Sequence, residues 1–233
     1  MSRRKRASKM FEQFLWVIFP YLCIAIFIVG HIWRYRIDQF GWTAKSSEFI
    51  EKKQLMIGSI MFHFAVIPVF IGHIVGLFIP AHWLSAIGVT DHIYHLGALY
   101  VGGFFGVVLL VGMFLLTFRR ITNKSIRRLS SASDMIVNFL LLFITFMGVY
   151  ATLITNNIVT DFDYRQTISV WVRGLATFSP DAAVMSDVPL SFKIHVLAAF
   201  VIFALWPATR LVHAWSLPFN YVGRSYIVYR RHK

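Results

Sequence analysis

Four histidines stand in stretches that are otherwise apolar, His63 and His73 in one run and His195 and His213 in another. An imidazole in hydrocarbon is costly and needs a partner. Two on each of two helices match the ligand demand of bound metal, most economically two haems, each iron held by a histidine from either side. The competing reading makes each imidazole a satisfied polar residue bonding across helices, or part of a proton path. Confinement of all four to two helices, in cores without the acidic residues that a proton relay recruits, favours haem. His31 and His82 fall at the ends of apolar runs and His232 in the terminal tail, so they read as interfacial or solvated.

The elements that must position these ligands follow from composition. With 58% hydrophobic, 17% aromatic and only 14% charged residues, the 233-residue chain is too apolar for an ordinary water-soluble domain. Five apolar runs, roughly 11–33, 54–80, 96–118, 134–156 and 192–216, are each long enough to cross about 30 Å of hydrocarbon as a helix. Continuous apolarity excludes the alternation of a membrane strand. The chain reads as all-α, an integral membrane bundle of five transmembrane helices binding two b-type haems. A basic N-terminal tail (1–10) precedes one bundle domain (11–218), and a basic cytoplasmic tail (219–233) follows it.

A net charge of +13 would suit nucleic acid, but the cations follow the ends of the apolar runs, which makes them a topology signal and excludes that partner class. Loop one carries Arg34, Arg36, Lys45, Lys52 and Lys53; loop three carries Arg119, Arg120, Lys124, Arg127 and Arg128. The C-terminal tail carries Arg224, Arg230, Arg231 and Lys233, whereas loop two has no lysine or arginine. Loop four sets Arg165 and Arg173 against Asp161, Asp163, Asp181 and Asp187. Loops one and three and the C-terminus are therefore expected in the cytoplasm and the N-terminus outside. The N-terminal Arg3, Arg4, Lys5, Arg6 and Lys9 vote the other way and are outnumbered. The tail has a twin-arginine look at Ser2, Arg3 and Arg4. The first run nevertheless ends in His31, Trp33, Arg34 and Tyr35 without a small-residue cleavage site, so it reads as an anchor.

A lone cysteine, Cys23, excludes both an internal disulfide and a cysteine-ligated iron–sulfur cluster in this chain. Loop two, PAHWLSAIGVTDHIYH (80–95), is short and rich in histidine. Loop four, about 35 residues, contains a helical pattern with Tyr164, Ile168, Trp171, Val172 and Leu175 on one side. That pattern suits a helix lying along the outer surface as an interfacial anchor. The lack of an internal repeat disfavours an inverted-repeat transporter.

Because the second and fifth helices run in opposite directions, His63 should face His213 and His73 should face His195. Ten residues separate the first two histidines and eighteen the other two, or about 15 Å and about 27 Å of helix rise, a mismatch left to tilt and side-chain reach. Eighteen residues is five full turns, which predicts one face for His195 and His213. Gly72 and Gly76 flank His73, and Gly102, Gly103 and Gly106 punctuate the third helix. They suit close approach by a flat macrocycle or, equally, tight helix packing. Arg210 could pair with a haem propionate or snorkel to the interface.

The strings FHFAVIPVFIGHIVGLFIPAHW (62–83), RYRIDQFGWTAKSSE (34–48), FKIHVLAAF (192–200) and RLVHAWSLPFNYVGRSYIVYRR (210–231) resemble the gamma subunit of respiratory nitrate reductase, a membrane dihaem cytochrome b. The resemblance covers almost the whole chain after the basic tail. It implies two haem b groups, an inner one on His63 and His213 and an outer one on His73 and His195. It also implies oxidation of menaquinol or ubiquinol near the outer haem, in the cytoplasmic membrane. Electrons would pass inward to an iron–sulfur beta subunit and then to a molybdenum-containing alpha subunit that reduces nitrate, a chemistry for which this chain has no site.

A quinol site beside His73 would use Gly72 for access, with His92 and His95 as candidate polar contacts. Some family members carry a lysine at the start of the third helix; here the segment reads DHIYHLGALY (91–100), so Asp91, His92, Tyr94 or His95 must take its place. Loops one and three, Trp42 and Trp215 would form the docking face for the partners, with anionic lipid as a second use of its charges. The same haem chemistry would serve a formate dehydrogenase, a hydrogenase, sulfur metabolism or nitrite oxidation. A transporter or channel would use the histidines without iron.

Overall fold

In the computed structural model, residues 3–43, 46–159 and 162–216 are described, and they contain helices and turns but no strand. Five helices are long and apolar enough to cross a membrane: α1 (Arg6–Gly41), α2 (Lys53–Phe78), α3 (Asp91–Thr122), α4 (Ala132–Ile158) and α6 (Leu190–Ala208). A short helix between the last two, α5 (Ile168–Ala176), does not span. Helix begins already at Arg3 and runs into α1, so the described part of the basic tail continues the first span.

Packing proceeds from α1 onto α6, α6 onto α4, α4 onto α3 and α3 onto α2. Small residues make the α2–α3 crossing: a Cβ on Gly112 would lie 2.8 Å from the Phe62 nitrogen, and one on Gly58 would meet Leu116. Gly103 and Gly106 abut Leu153 and Val149 of α4, so these two glycines serve helix packing, whereas nothing lies within 4 Å of a Cβ on Gly102. Between α3 and α4 the buried Asn138 amide donates to the Thr117 hydroxyl. The outward faces are apolar, with Ile60, Phe64, Phe70, Phe114 and Phe146 all exposed, as a lipid-facing surface requires.

At the basic end, Arg119 of α3 is buried and holds loop one. Its Nε donates to Glu51 at 2.7 Å, its Nη1 to the Ser47 hydroxyl, and its Nη2 to the Ser47 and Glu51 carbonyls. Backbone donors at Gln54 and Leu55, together with the Arg119 guanidinium, hold the Glu51 carboxyl below its ordinary range against a modest desolvation cost. At the opposite end the apolar side of α5, which its pattern assigns to an interfacial anchor, meets protein. Ile168, Trp171 and Leu175 pack with Trp16, Cys23, Met185, Val188 and Phe200. A π turn at Phe14–Ile18 breaks the regular α-helical bonding of the first span, and within it the Trp16 carbonyl accepts from the Trp171 indole at 2.7 Å. The Ser169 hydroxyl and Arg173 both donate to the Leu77 carbonyl in the last turn of α2, where helix carbonyls lack intrahelical donors.

The fifth apolar run is not one helix to residue 216. Regular helix ends at Leu205, Trp206–Ala208 and Arg210–Trp215 are 3₁₀ turns, and Thr209 between them is extended (φ −125°, ψ 176°). Pro207 supplies no backbone N–H to continue the ladder, and the Thr209 hydroxyl caps the second turn by accepting from the Leu211 amide. The tail 219–233 lies outside the described residues.

Candidate metal centres and outer polar site

Both expected histidine pairs come together. The His63 and His213 ring centres are 6.3 Å apart and those of His73 and His195 are 6.1 Å apart. Their planes cross at 69° and 31° respectively. The break at Pro207–Thr209 changes how the first pair forms. His195 and His213 do not share one continuous helix face, because His195 lies in regular helix and His213 in a 3₁₀ turn beyond the extended Thr209. That segment is fixed from two sides. Arg34 of α1 donates to the Pro207 and Thr209 carbonyls at 2.7 and 3.1 Å, and Arg210 is gripped by Asp134 of α4.

Each imidazole is oriented in the same sense. Nδ1 lies 2.8 Å from the Ser59 carbonyl in His63, 2.7 Å from Val69 in His73, 3.0 Å from Ile144 in His195 and 2.6 Å from Arg210 in His213. A carbonyl only accepts, so Nδ1 carries the proton and Nε2 keeps its lone pair. Backbone-oriented imidazoles with Nε2 available are what metal ligation requires. Two imidazoles on opposite sides of one iron, each nitrogen about 2 Å away, have ring centres roughly 6 Å apart. The two pairs fit that demand. Among the described residues no cluster of three or more His, Cys, Asp or Glu side chains could hold an ion.

His195 depends on a glycine. A Cβ on Gly148 of α4 would sit 2.9 Å from its Cε1 and 3.3 Å from its Nδ1. Gly148→Ala is therefore expected to push the ring off the Ile144 carbonyl and to weaken binding of a haem iron between His73 and His195, should the pair hold one, about tenfold, since orienting groups around a ligand are worth that much. Optical redox titration checks this: the outer component should shrink and the inner one stay.

The other expected residues divide. Nothing lies within 4 Å of a Cβ on Gly72, which leaves the approach to His73 open on that side. Asp91, Tyr94 and His95 line a polar cavity of about 210 Å³ at the end opposite the basic one, whereas His92 is exposed and lies outside that lining. Ala98 of α3, Asn156 of α4 and loop four, through Phe162, Asp163, Tyr164 and Arg165, complete the wall. Arg165 is sandwiched in charge, with Asp91 and Asp163 each 3.1 Å away and the Tyr94 ring 4.5 Å below its guanidinium carbon. The Tyr94 and Tyr164 hydroxyls are 2.6 Å apart. Tyr164 precedes α5 in a turn, so it is not part of the helix face it seemed to begin in the sequence pattern. Arg210 is engaged by Asp134 at 2.7 and 2.5 Å, so a propionate at Arg210 would share that guanidinium with a carboxylate.

The model of the nitrate reductase gamma subunit family matches residues 12–232 of this chain. The chain belongs to that family. Over 222 residues it is 48% identical to the nitrate reductase gamma chain of Bacillus subtilis (strain 168), covering 95% of this chain and 99% of the relative. Identity to the respiratory nitrate reductase 2 gamma chain of Escherichia coli (strain K12) is 34% over 218 residues, covering 93% and 96%. The nitrate reductase-like protein NarX of Mycobacterium tuberculosis (strain ATCC 25618 / H37Rv) is 39% identical over 226 residues, or 97% of this chain and 35% of that longer protein. A gamma subunit is one part of an oxidoreductase complex, so this chain works with other subunits. Its five apolar helices make it a membrane protein.

Proposed function

We propose that this chain is the dihaem cytochrome b of a respiratory nitrate reductase. In this reading His63 and His213 hold an inner haem b, His73 and His195 hold an outer one, and quinol is oxidised beside His73. The observation that carries it is the pair of facing imidazole couples, each ring pinned at Nδ1 with Nε2 available. Bound haem iron supplies single-electron acceptance and donation at each pair. The protein's own residues orient the ligands and present Gly72 and the Asp91–Tyr94–His95 side of α3 to the quinol. The charge pattern supports an N-terminus outside and loops one and three in the cytoplasm. There the exposed Arg36, Lys52, Lys53, Lys124, Arg127 and Arg128, with Trp42 and Trp215, would meet an iron–sulfur beta subunit that feeds a molybdenum-containing alpha subunit.

Purification through a tagged copy of this chain tests the reading. The expected result is co-purification of an iron–sulfur and a molybdenum subunit, with b-type absorption bands that a short-chain naphthoquinol reduces and nitrate then reoxidises. Bands absent from the purified complex, or unresponsive to quinol, would refute it.

A further inference from the structure

Loop four was expected to anchor the bundle surface, yet Phe162, Asp163, Tyr164 and Arg165 of this loop line the outer cavity. Tyr164 reaches across to Tyr94 of α3, and the two hydroxyls are 2.6 Å apart. Both oxygens lie against α2 at one residue: a Cβ on Gly76 would be 2.7 Å from the Tyr94 hydroxyl and 3.0 Å from that of Tyr164. Gly76 is three residues beyond His73 and hence on the same side of that helix. The hydroxyl pair is therefore within one helical turn of the residue beside which quinol oxidation is assigned. At the other end the cavity opens toward solvent through Asp91, whose side chain is 75% exposed. A polar cavity of about 210 Å³ holds several waters at roughly 30 Å³ each.

Resting on the quinol-oxidising reading above, we infer that the Tyr94–Tyr164 hydroxyl pair and the cavity beyond it are the route by which quinol protons leave for the outer water. Oxidation of one quinol to quinone releases two protons and two electrons, which haem held by His73 and His195 would accept one at a time. Each proton passes from a quinol hydroxyl to the Tyr94 oxygen as Tyr94 gives its own to Tyr164 and Tyr164 gives its own to a cavity water. Both tyrosines end each passage neutral, and the proton leaves past Asp91 and Asp163. The groups facing the pair are Asp91 and His95 from α3 and Asp163 and Arg165 from loop four, with Gly76 on the α2 side. Burial, with the Tyr94 hydroxyl beside it, pushes the Tyr164 phenol far above its ordinary value, so the pair hands protons on without storing a phenolate. Arg165, held by both carboxylates and lying over the Tyr94 ring, fixes the geometry.

The test uses the whole complex in native membranes and a short-chain naphthoquinol. Tyr94→Phe and Tyr164→Phe should each slow quinol-driven haem reduction about tenfold to a hundredfold, the range of a lost proton-transfer group. The loss should fall on kcat rather than KM, and the solvent deuterium isotope effect should rise as proton exit becomes limiting. Dithionite-reduced spectra should match the native complex, showing both haems in place. If either replacement costs the b-type bands, Asp163→Asn, at the watery end with both rings untouched, should show the same slowing and isotope effect in milder form. Native rate, KM and isotope effect in the variants that retain both haems, beside a native complex that quinol does reduce, would overturn the proton route alone. A native complex that quinol does not reduce would remove the functional reading and the route together.

Discussion

Replacing His73 with alanine is expected to abolish quinol-dependent nitrate reduction while leaving the spectrum of the inner haem intact. The two pairs are built from different stretches of chain. His73 and His195 rely on the Val69 and Ile144 carbonyls, whereas His63 and His213 rely on Ser59 and Arg210. Pro68 lies between the two histidines of α2 and removes the N–H that would tie residue 68 to the preceding turn. Loss of the outer ligand should therefore not propagate to the inner pair. Removing groups that only orient a ligand costs tenfold to a hundredfold, so removing the ligand itself should cost at least about a hundredfold in quinol-driven rate. Nitrate reduction driven by a dye that donates to the partner subunits should persist. The measurement is the ratio of those two rates in one membrane preparation, alongside the reduced spectrum. Retained quinol activity would contradict assignment of the outer pair to quinol.

Asp134→Ala is expected to have the opposite selectivity, emptying the inner pair and sparing the outer. Asp134 is buried in the first turn of α4 and grips Arg210 at 2.7 and 2.5 Å, three residues before His213. It also completes a capping box with Ser131. The segment carrying His213 is two 3₁₀ turns joined by an extended residue, a form with less internal hydrogen bonding than an α-helix, so its position depends on what clamps it. Loss of a largely buried ion pair costs about 3 kcal/mol, or about a hundredfold in the local equilibrium that holds His213 in place. Asp134→Asn keeps the cap and loses the charge, and should fall between. Haem content per chain and the midpoint of the surviving component report the outcome. Loss of the outer component instead would show that Arg210 does not control His213.

The helix count and the facing of the histidines were legible in the sequence because both rest on long-range regularities. Apolar length set five spans, and antiparallel order made His63 face His213 and His73 face His195. The shape of the last span was not legible. Pro207 can break a helix, but the apolar run continues past it to Trp215, and apolarity alone does not mark where regular helix ends. Loop four was read by its helical period, which correctly placed Ile168, Trp171 and Leu175 on one buried side but swept in Tyr164. No periodicity reveals that Tyr164 and Arg165 close over Tyr94, because that contact joins residues seventy positions apart. Gly148 in an apolar run reads as helix packing, and only the proximity of His195 gives it a different role. Asp134 and Arg210 were each visible as charges at the ends of apolar runs, and their pairing needed the fold.

Haem content per chain, measured by chemical extraction from the purified native complex and from single alanine variants at His63, His73, His195 and His213, tests the central claim most directly. The account predicts two haem b groups per native chain and one in each variant. Variants at His63 and His213 should lose the same spectral component, and variants at His73 and His195 the other. One haem or none in the native chain, or loss patterns that pair the histidines differently, would contradict it.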